Sequence, residues 1–162
     1  IPLRLVGSEM CIRDRDKRGF FMLPQMPEES GYYTYGTPFG GRGQYAHVQM
    51  LNFIFKLEHG WSITEERKIG IGNISLAEGK KFPPHASHRS GLEVDIRPIR
   101  KDGLKQPVRW SSKDYDQAAT QRLVNLIWQT GMVKKVGFND PKIANATYMN
   151  GHDDHLHVEV RI

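Results

Sequence analysis

The last eight residues, HLHVEVRI, alternate without a break, with Leu156, Val158, Val160 and Ile162 on one side and His155, His157, Glu159 and Arg161 on the other. Side chains in a strand point alternately to opposite faces, so this segment predicts a strand with one apolar face and one polar face. A parallel sheet buried on both sides does not suit such a strand. An antiparallel sheet covered on one face does. A second segment repeats the pattern: Leu92, Val94 and Ile96 alternate with Glu93 and Asp95. Residues 67–75 (RKIGIGNIS) and Met132 to Phe138 read as two further strands.

Two helices are predicted between the strands. Gln44 to Glu58 places Val48, Leu51, Ile54, Phe55 and Leu57 at helical spacings, with Gly60 as the stop. Ser111 or Ser112 caps a second helix from about Asp114 to Thr130, with Tyr115, Ala119, Leu123, Leu126 and Ile127 as its stripe and Gly131 at its end. Residues 16–43, rich in Gly, Pro and Tyr, are predicted to form turns rather than regular elements. Together these predict an α+β domain: a small antiparallel sheet with helices on one face and a polar cleft on the other.

The chain has 162 residues, enough for one domain with a single core. Hydrophobic residues make up 38% and charged residues 25%, and no apolar run approaches the ~18 residues of a membrane span. The net charge of +5 favours anionic partners. Its basic residues are scattered rather than gathered in a stripe with interleaved aromatics, which argues against nucleic acid. The lone cysteine, Cys11, allows neither an internal disulfide nor a cysteine-based metal cluster, so any metal site must be built from His, Asp and Glu.

Five of the seven histidines lie in two short segments, PPHASHRSGLEVDI and NGHDDHLHVEV. Residues two apart on a strand share a face, so His155 and His157 project together from the polar side, as Asp95 does from its own strand. If the two strands are neighbours, Asp95 and His157 meet across the ladder and His88 can join them. Two histidines and a carboxylate leave a fourth tetrahedral position open, the arrangement of a catalytic zinc site. An isolated His-x-His is more often a pair of surface residues; the second alternating strand is what raises it to a candidate metal centre.

The motifs HASHRSGLEVDI and HDDHLHV resemble the paired elements of the penicillin-insensitive murein endopeptidases, zinc peptidases of the group that includes lysostaphin-type enzymes, D-Ala-D-Ala peptidases and the hedgehog domain. The resemblance covers about residues 33–162. It implies one zinc ion on His88, Asp95 and His157, with His155 beside the metal water as proton acceptor, His152 assisting, and His85 as a further active-site histidine. It also implies peptidoglycan as partner, a periplasmic location, and hydrolysis of peptide cross-links, the D-alanyl-meso-diaminopimelate bond in particular. The alternatives are a D-Ala-D-Ala carboxypeptidase or dipeptidase, and a noncatalytic zinc-containing wall-binding module.

Several residues keep two readings. Asp153 and Asp154 either orient a histidine ring by hydrogen bonding or form a solvated acidic turn. Arg89 and Arg97 bind a substrate carboxylate or are surface charges. Glu93 is a fourth ligand or, as favoured here, structural. Tyr33 and Tyr35 line a groove or pack.

The chain is shorter than the family pattern and lacks the cysteines some members pair. Its first fifteen residues, IPLRLVGSEMCIRDR, show no sustained period and resemble translated adapter sequence. They are expected to be a non-native or disordered leader, dispensable for folding, ahead of a single domain over 16–162.

Overall fold

The computed structural model describes residues 15–25 and 29–162. The expected leader therefore lies outside the described residues except for Arg15, whose backbone bridges to Phe21.

Seven strands and two α-helices follow one another among the described residues: β1 (Phe21–Met22), β2 (Tyr32–Thr34), β3 (Tyr45–Ala46), α1 (Val48–Ser62), β4 (Ile69–Ile71), β5 (Glu93–Ile96), α2 (Gln117–Gln129), β6 (Val133–Gly137) and β7 (Leu156–Val160). The main sheet runs β2-β4-β5-β7-β6, and β1 pairs β3 in a separate two-stranded ladder. The sequence-predicted strands at the centre form antiparallel neighbours. β5 faces β7 with Val94 opposite Val158, Asp95 opposite His157 and Ile96 opposite Leu156.

The outer strand β2 lies in a segment expected to hold only turns, and it runs parallel to β4. Parallel neighbours need a crossover connection, and α1 supplies it, leaving β2 on one side and returning to β4. Three residues carry too little periodicity for this pairing to be read locally.

The apolar faces of the strands meet both helices in one core. Val94, Ile96, Leu156, Val158 and Val160 pack with Phe53, Ile54 and Leu57 of α1 and with Leu123, Val124 and Ile127 of α2. α1 begins four residues later than the pattern predicts, because Tyr45–Ala46 pair with β1 and His47 becomes the N-cap, its Nδ1 accepting the amide of Gln49 at 3.0 Å. Its buried stripe is accordingly Met50, Phe53, Ile54, Leu57 and Trp61, while Val48 and Phe55 are exposed.

Gly60 does not stop this helix. It sits inside it against α2, where a Cβ would come within 3.2 Å of Leu126, so glycine permits the close approach of the two helices. α2 is capped by Asp116 rather than by Ser111 or Ser112; the carboxylate accepts the Ala119 amide at 2.9 Å. Gly131, at φ 73°, ends it as the sequence predicts. Among the described residues no helix is long and apolar enough to cross a membrane.

Candidate active site

The opposite face of the sheet is built by the alternation that fills the core. With Val94 and Ile96 turned inward, Glu93 and Asp95 emerge on the other side of β5, and the register places His157 of β7 directly across from Asp95. Asp95 and His157 are nonetheless buried, as is His88, with relative exposures of 5%, 3% and 2%. A carboxylate and two imidazoles removed from water need mutual or other partners, because uncompensated burial of such groups is costly.

His88 arrives from the loop ahead of β5 in a left-handed backbone conformation, φ 64°. A non-glycine residue adopts this region at some cost and keeps it where its surroundings impose it. Here Glu93 Oε2 accepts the His88 amide at 2.8 Å, and the ring Nδ1 lies 3.0 Å from the Ile74 carbonyl. A carbonyl cannot donate, so Nδ1 carries a proton, and Nε2 faces Asp95 Oδ1, 3.2 Å away.

His157 is held from its far side in the same manner. Its Nε2 is 3.3 Å from Glu93 Oε1 and 3.5 Å from Glu159 Oε1, and its Nδ1 is 3.6 Å from Asp95 Oδ1. His155 Nε2 lies 3.9 Å from the same oxygen, with its Nδ1 held by Asp154 Oδ1 at 2.7 Å. Three imidazoles thus converge on Asp95 Oδ1, which is buried and has no hydrogen-bond partner among the described residues. His85 approaches the other oxygen, with Nδ1 3.9 Å from Oδ2, and its Nε2 accepts from Asn73 Nδ2 at 2.8 Å. His152 completes the group, its ring centroid 4.5 Å from that of His155 and 5.6 Å from that of His157.

Electrostatics follow from this packing. Burial pushes the Asp95 carboxyl upward, but the imidazoles of His157 and His88 beside it hold it well below the usual carboxylate range. Burial likewise opposes the charged form of His157, and Asp95 and Glu93 overcome it and raise the imidazole to about 9. Glu93 is held at about 2 against its burial by His157, Ser87 and the His88 amide. His85 and His152 are pushed down, by burial first in both cases.

The residues fit a divalent metal ion. Ligands about 2.0–2.1 Å from a tetrahedral zinc are about 3.3 Å apart, and the separations of His88 Nε2 and His157 Nδ1 from Asp95 Oδ1 bracket that value at 3.2 and 3.6 Å. The unsatisfied Asp95 Oδ1 and the second-nitrogen hydrogen bonds of both histidines are what such a centre needs. By mutual approach of ligand atoms, within 4.8 Å, His85 groups with His88 and Asp95, and His157 groups with Glu93 and Glu159.

The centre opens into a cleft of about 200 Å³ lined by Tyr35, Asp95, Arg97, Pro107, Asp154 and His155. Of the residues singled out in the sequence, His85, His88, Asp95, His152, His155, His157 and Asp154 come together here. Asp153 points elsewhere: it binds Arg109 at 2.7 Å, Asn139 at 3.0 Å and Trp110 at 3.2 Å, clasping neighbouring loops. Arg89 turns to the Gly79 carbonyl at 2.9 Å. Glu93 braces both His88 and His157, in keeping with a structural role.

Asn73 and Gln44 were not singled out. Asn73 anchors His85, and Gln44 Nε2 ties the carbonyls of Tyr35, Ile71 and Gly72. An amide side chain beside glycines reads as a turn signal, so neither was visible without the neighbours it joins.

The fold and this cluster define an α+β protein with a buried histidine-carboxylate centre at the floor of a cleft. The sequence model of the penicillin-insensitive murein endopeptidases matches residues 24–140, and the chain belongs to that family of peptidases. A penicillin-insensitive murein endopeptidase of Yersinia enterocolitica is 27% identical over 84% of this chain, and one of Yersinia pestis is 30% identical over 54%. The chain spans 60% and 34% of the lengths of those two proteins.

Proposed function

We propose that this chain is a zinc-dependent endopeptidase that hydrolyses the peptide cross-links of peptidoglycan, at the D-alanyl-meso-diaminopimelate bond, in the periplasm. The observation that carries the reading is the buried Asp95 Oδ1, without a hydrogen-bond partner among the described residues, with imidazole nitrogens around it at the floor of an open cleft. Family membership supplies the substrate class. Residues 16–162 form the single peptidase domain in this reading, and residues 1–15 are dispensable.

His88, Asp95 and His157 hold one zinc ion. Zinc in such a site polarises a carbonyl and lowers the pKa of a water molecule towards about 7. The remaining work falls to the chain's own groups. His155, whose Nε2 faces the centre, takes the proton of the attacking water and passes one to the leaving amine. Asp154 fixes the ring by accepting from Nδ1, so that Nε2 keeps its lone pair towards the cleft. His152 packs beside His155 with its ring tilted, Nδ1 donating to the Asn150 carbonyl at 2.9 Å, and assists it. Glu93 holds the outer nitrogen of His157 and the backbone of His88.

The test is digestion of cross-linked peptidoglycan with the purified protein, with and without a zinc chelator, followed by mass analysis of the muropeptides. Chelator-sensitive conversion of dimers to monomers is the expected result. Loss of a terminal alanine with cross-links intact would replace the endopeptidase by a carboxypeptidase. Binding to the wall without turnover would leave a noncatalytic module.

A further inference from the structure

One wall of the cleft takes no part in the chemistry above. β4 and its continuation read IGIGN, and Gly70 and Gly72 alternate on one face. A Cβ on Gly70 would lie 2.7 Å from the Tyr33 hydroxyl, and one on Gly72 would lie 2.5 Å from Tyr35 Cζ. The two tyrosine rings, from β2 and the residue just beyond it, therefore lie across bare backbone, an arrangement open only to glycine at both positions.

Arg97 covers these rings. It follows Asp95 by two residues along the same extended segment, on the same face and about 7 Å further on. Its guanidinium carbon lies 3.9 Å from the Tyr35 ring centroid and 5.8 Å from that of Tyr33. Nη1 donates to the Lys105 carbonyl at 3.2 Å and to the Tyr33 hydroxyl at 3.4 Å. Stacking on aromatic faces fixes the plane of a guanidinium while leaving its fork of donors available.

What this arginine lacks is an acid. Arg18, Arg67, Arg100, Arg109 and Arg122 each hold a carboxylate within 4.0 Å. Among the described residues Arg97 makes no ion pair, although it lines the cleft beside Asp95 and Asp154. The Tyr35 hydroxyl oxygen is also buried without a hydrogen-bond partner among the described residues. Burial, with Asp95 nearby, pushes that phenol well above its ordinary range, so it remains a neutral donor.

We infer that Arg97, seated on Tyr35, is a specificity-determining residue that binds a free carboxylate on the substrate, on the carbon next to the scissile nitrogen. The inference rests on the peptidase reading and adds to it the charge requirement of the leaving side. Asp154 repels a carboxylate on its side of the cleft, and Arg97 is the one lysine or arginine among the described residues lining it, so Arg97 sets the direction in which the peptide lies. The same group occurs on the amine-bearing centre of a diaminopimelate cross-link and on a C-terminal D-alanine. Product masses separate these two sources.

The experiment compares the unaltered protein on two cross-linked muropeptide dimers, identical except that this carboxylate is free in one and amidated in the other. A charge-assisted, two-pronged contact predicts a kcat/KM about tenfold or more higher for the free acid, expressed mainly in KM. Arg97→Gln is expected to bring the two substrates within about twofold of each other, and Arg97→Lys to restore part of the preference. Equal cleavage of both dimers by the unaltered protein overturns the subsite and leaves the peptidase reading standing. So does an undiminished preference in Arg97→Gln. Cleavage of neither dimer overturns the peptidase reading, and the subsite with it.

Discussion

Asp95 and His157 stand opposite each other across the antiparallel β5-β7 ladder, with Asp95 Oδ1 3.6 Å from His157 Nδ1. The pairing joins two sequence segments about sixty residues apart, and the pleat that buries Val94 and Val158 also aims these two side chains at the cleft. His88 then closes on the same oxygen from a loop.

Removal of Asp95 tests the centre directly. A metal that binds the folded chain stabilises it by mass action, about 2.7 kcal/mol when free metal is 100 times its Kd. Zinc is expected to raise the unfolding temperature and a chelator to lower it. In Asp95→Ala neither addition moves the transition, and bound zinc measured by elemental analysis falls to background.

Glu93→Gln probes the brace behind the centre. The carboxylate accepts both the His88 amide and the outer nitrogen of His157. Loss of such a supporting hydrogen bond typically costs about 10–100-fold in metal affinity or activity. Competition with a chromogenic chelator should show weaker zinc binding in a chain that remains folded.

Asp154→Asn separates positioning from binding. The 2.7 Å contact orients His155, and the side chain touches no other residue of the cluster in a hydrogen bond among the described residues. The expected outcome is a kcat reduced about tenfold or more, below the ~10²–10⁴ contributed by a general base, with zinc content unchanged. A proportional rise in KM at constant kcat would instead make Asp154 a substrate contact.

Gly72→Ala should disturb the cleft wall. The new methyl would meet Tyr35 Cζ at 2.5 Å and its hydroxyl at 2.7 Å, so the ring must move off the strand. Overpacking of this kind costs about 1–3 kcal/mol. A lowered unfolding temperature together with reduced turnover is expected, and Tyr35→Ala in the same chain should reverse the loss of stability in part but not the loss of turnover.

Acid stability has a source away from the cleft. Arg67 hydrogen-bonds Glu65 and holds its carboxyl at about 2 against an ordinary value of 4.5, and Arg67 also meets Asp116 at 2.8 Å. A carboxyl with a depressed folded-state pKa stabilises fully above its unfolded value and ceases to do so as pH falls through the folded one. Denaturation midpoints should therefore decline between about pH 4.5 and 2, and Glu65→Gln should flatten that decline.

Much of this molecule was legible in the residues alone. The alternation of HLHVEVRI and of LEVDI determined two half-buried strands and, with them, which face carries His155, His157, Glu93 and Asp95. Apolar spacing likewise located both helices, since a helix must bury one stripe. These features follow from local geometry, in which side-chain direction is set by neighbours two, three or four residues away.

Other features depended on contacts between distant segments, and only the tertiary structure decided them. The N-cap of α1 moved to His47 because Ala46 pairs with Phe21, and Gly60 stayed inside the helix because Leu126 presses on it. The strand at Tyr32–Thr34 exists because α1 returns the chain to Ile69 beside it. Asp153 and Asp154 are adjacent and chemically identical, yet one clasps Arg109, Asn139 and Trp110 and the other orients His155. Arg97 resembles any surface arginine until Gly70 and Gly72 bring two tyrosine rings beneath it. The chain's own order specifies which chemical groups are available and which way each strand or helix turns them. Which groups finally meet depends on strand order and register, and these are set by burial of the shared core rather than by any short stretch of sequence.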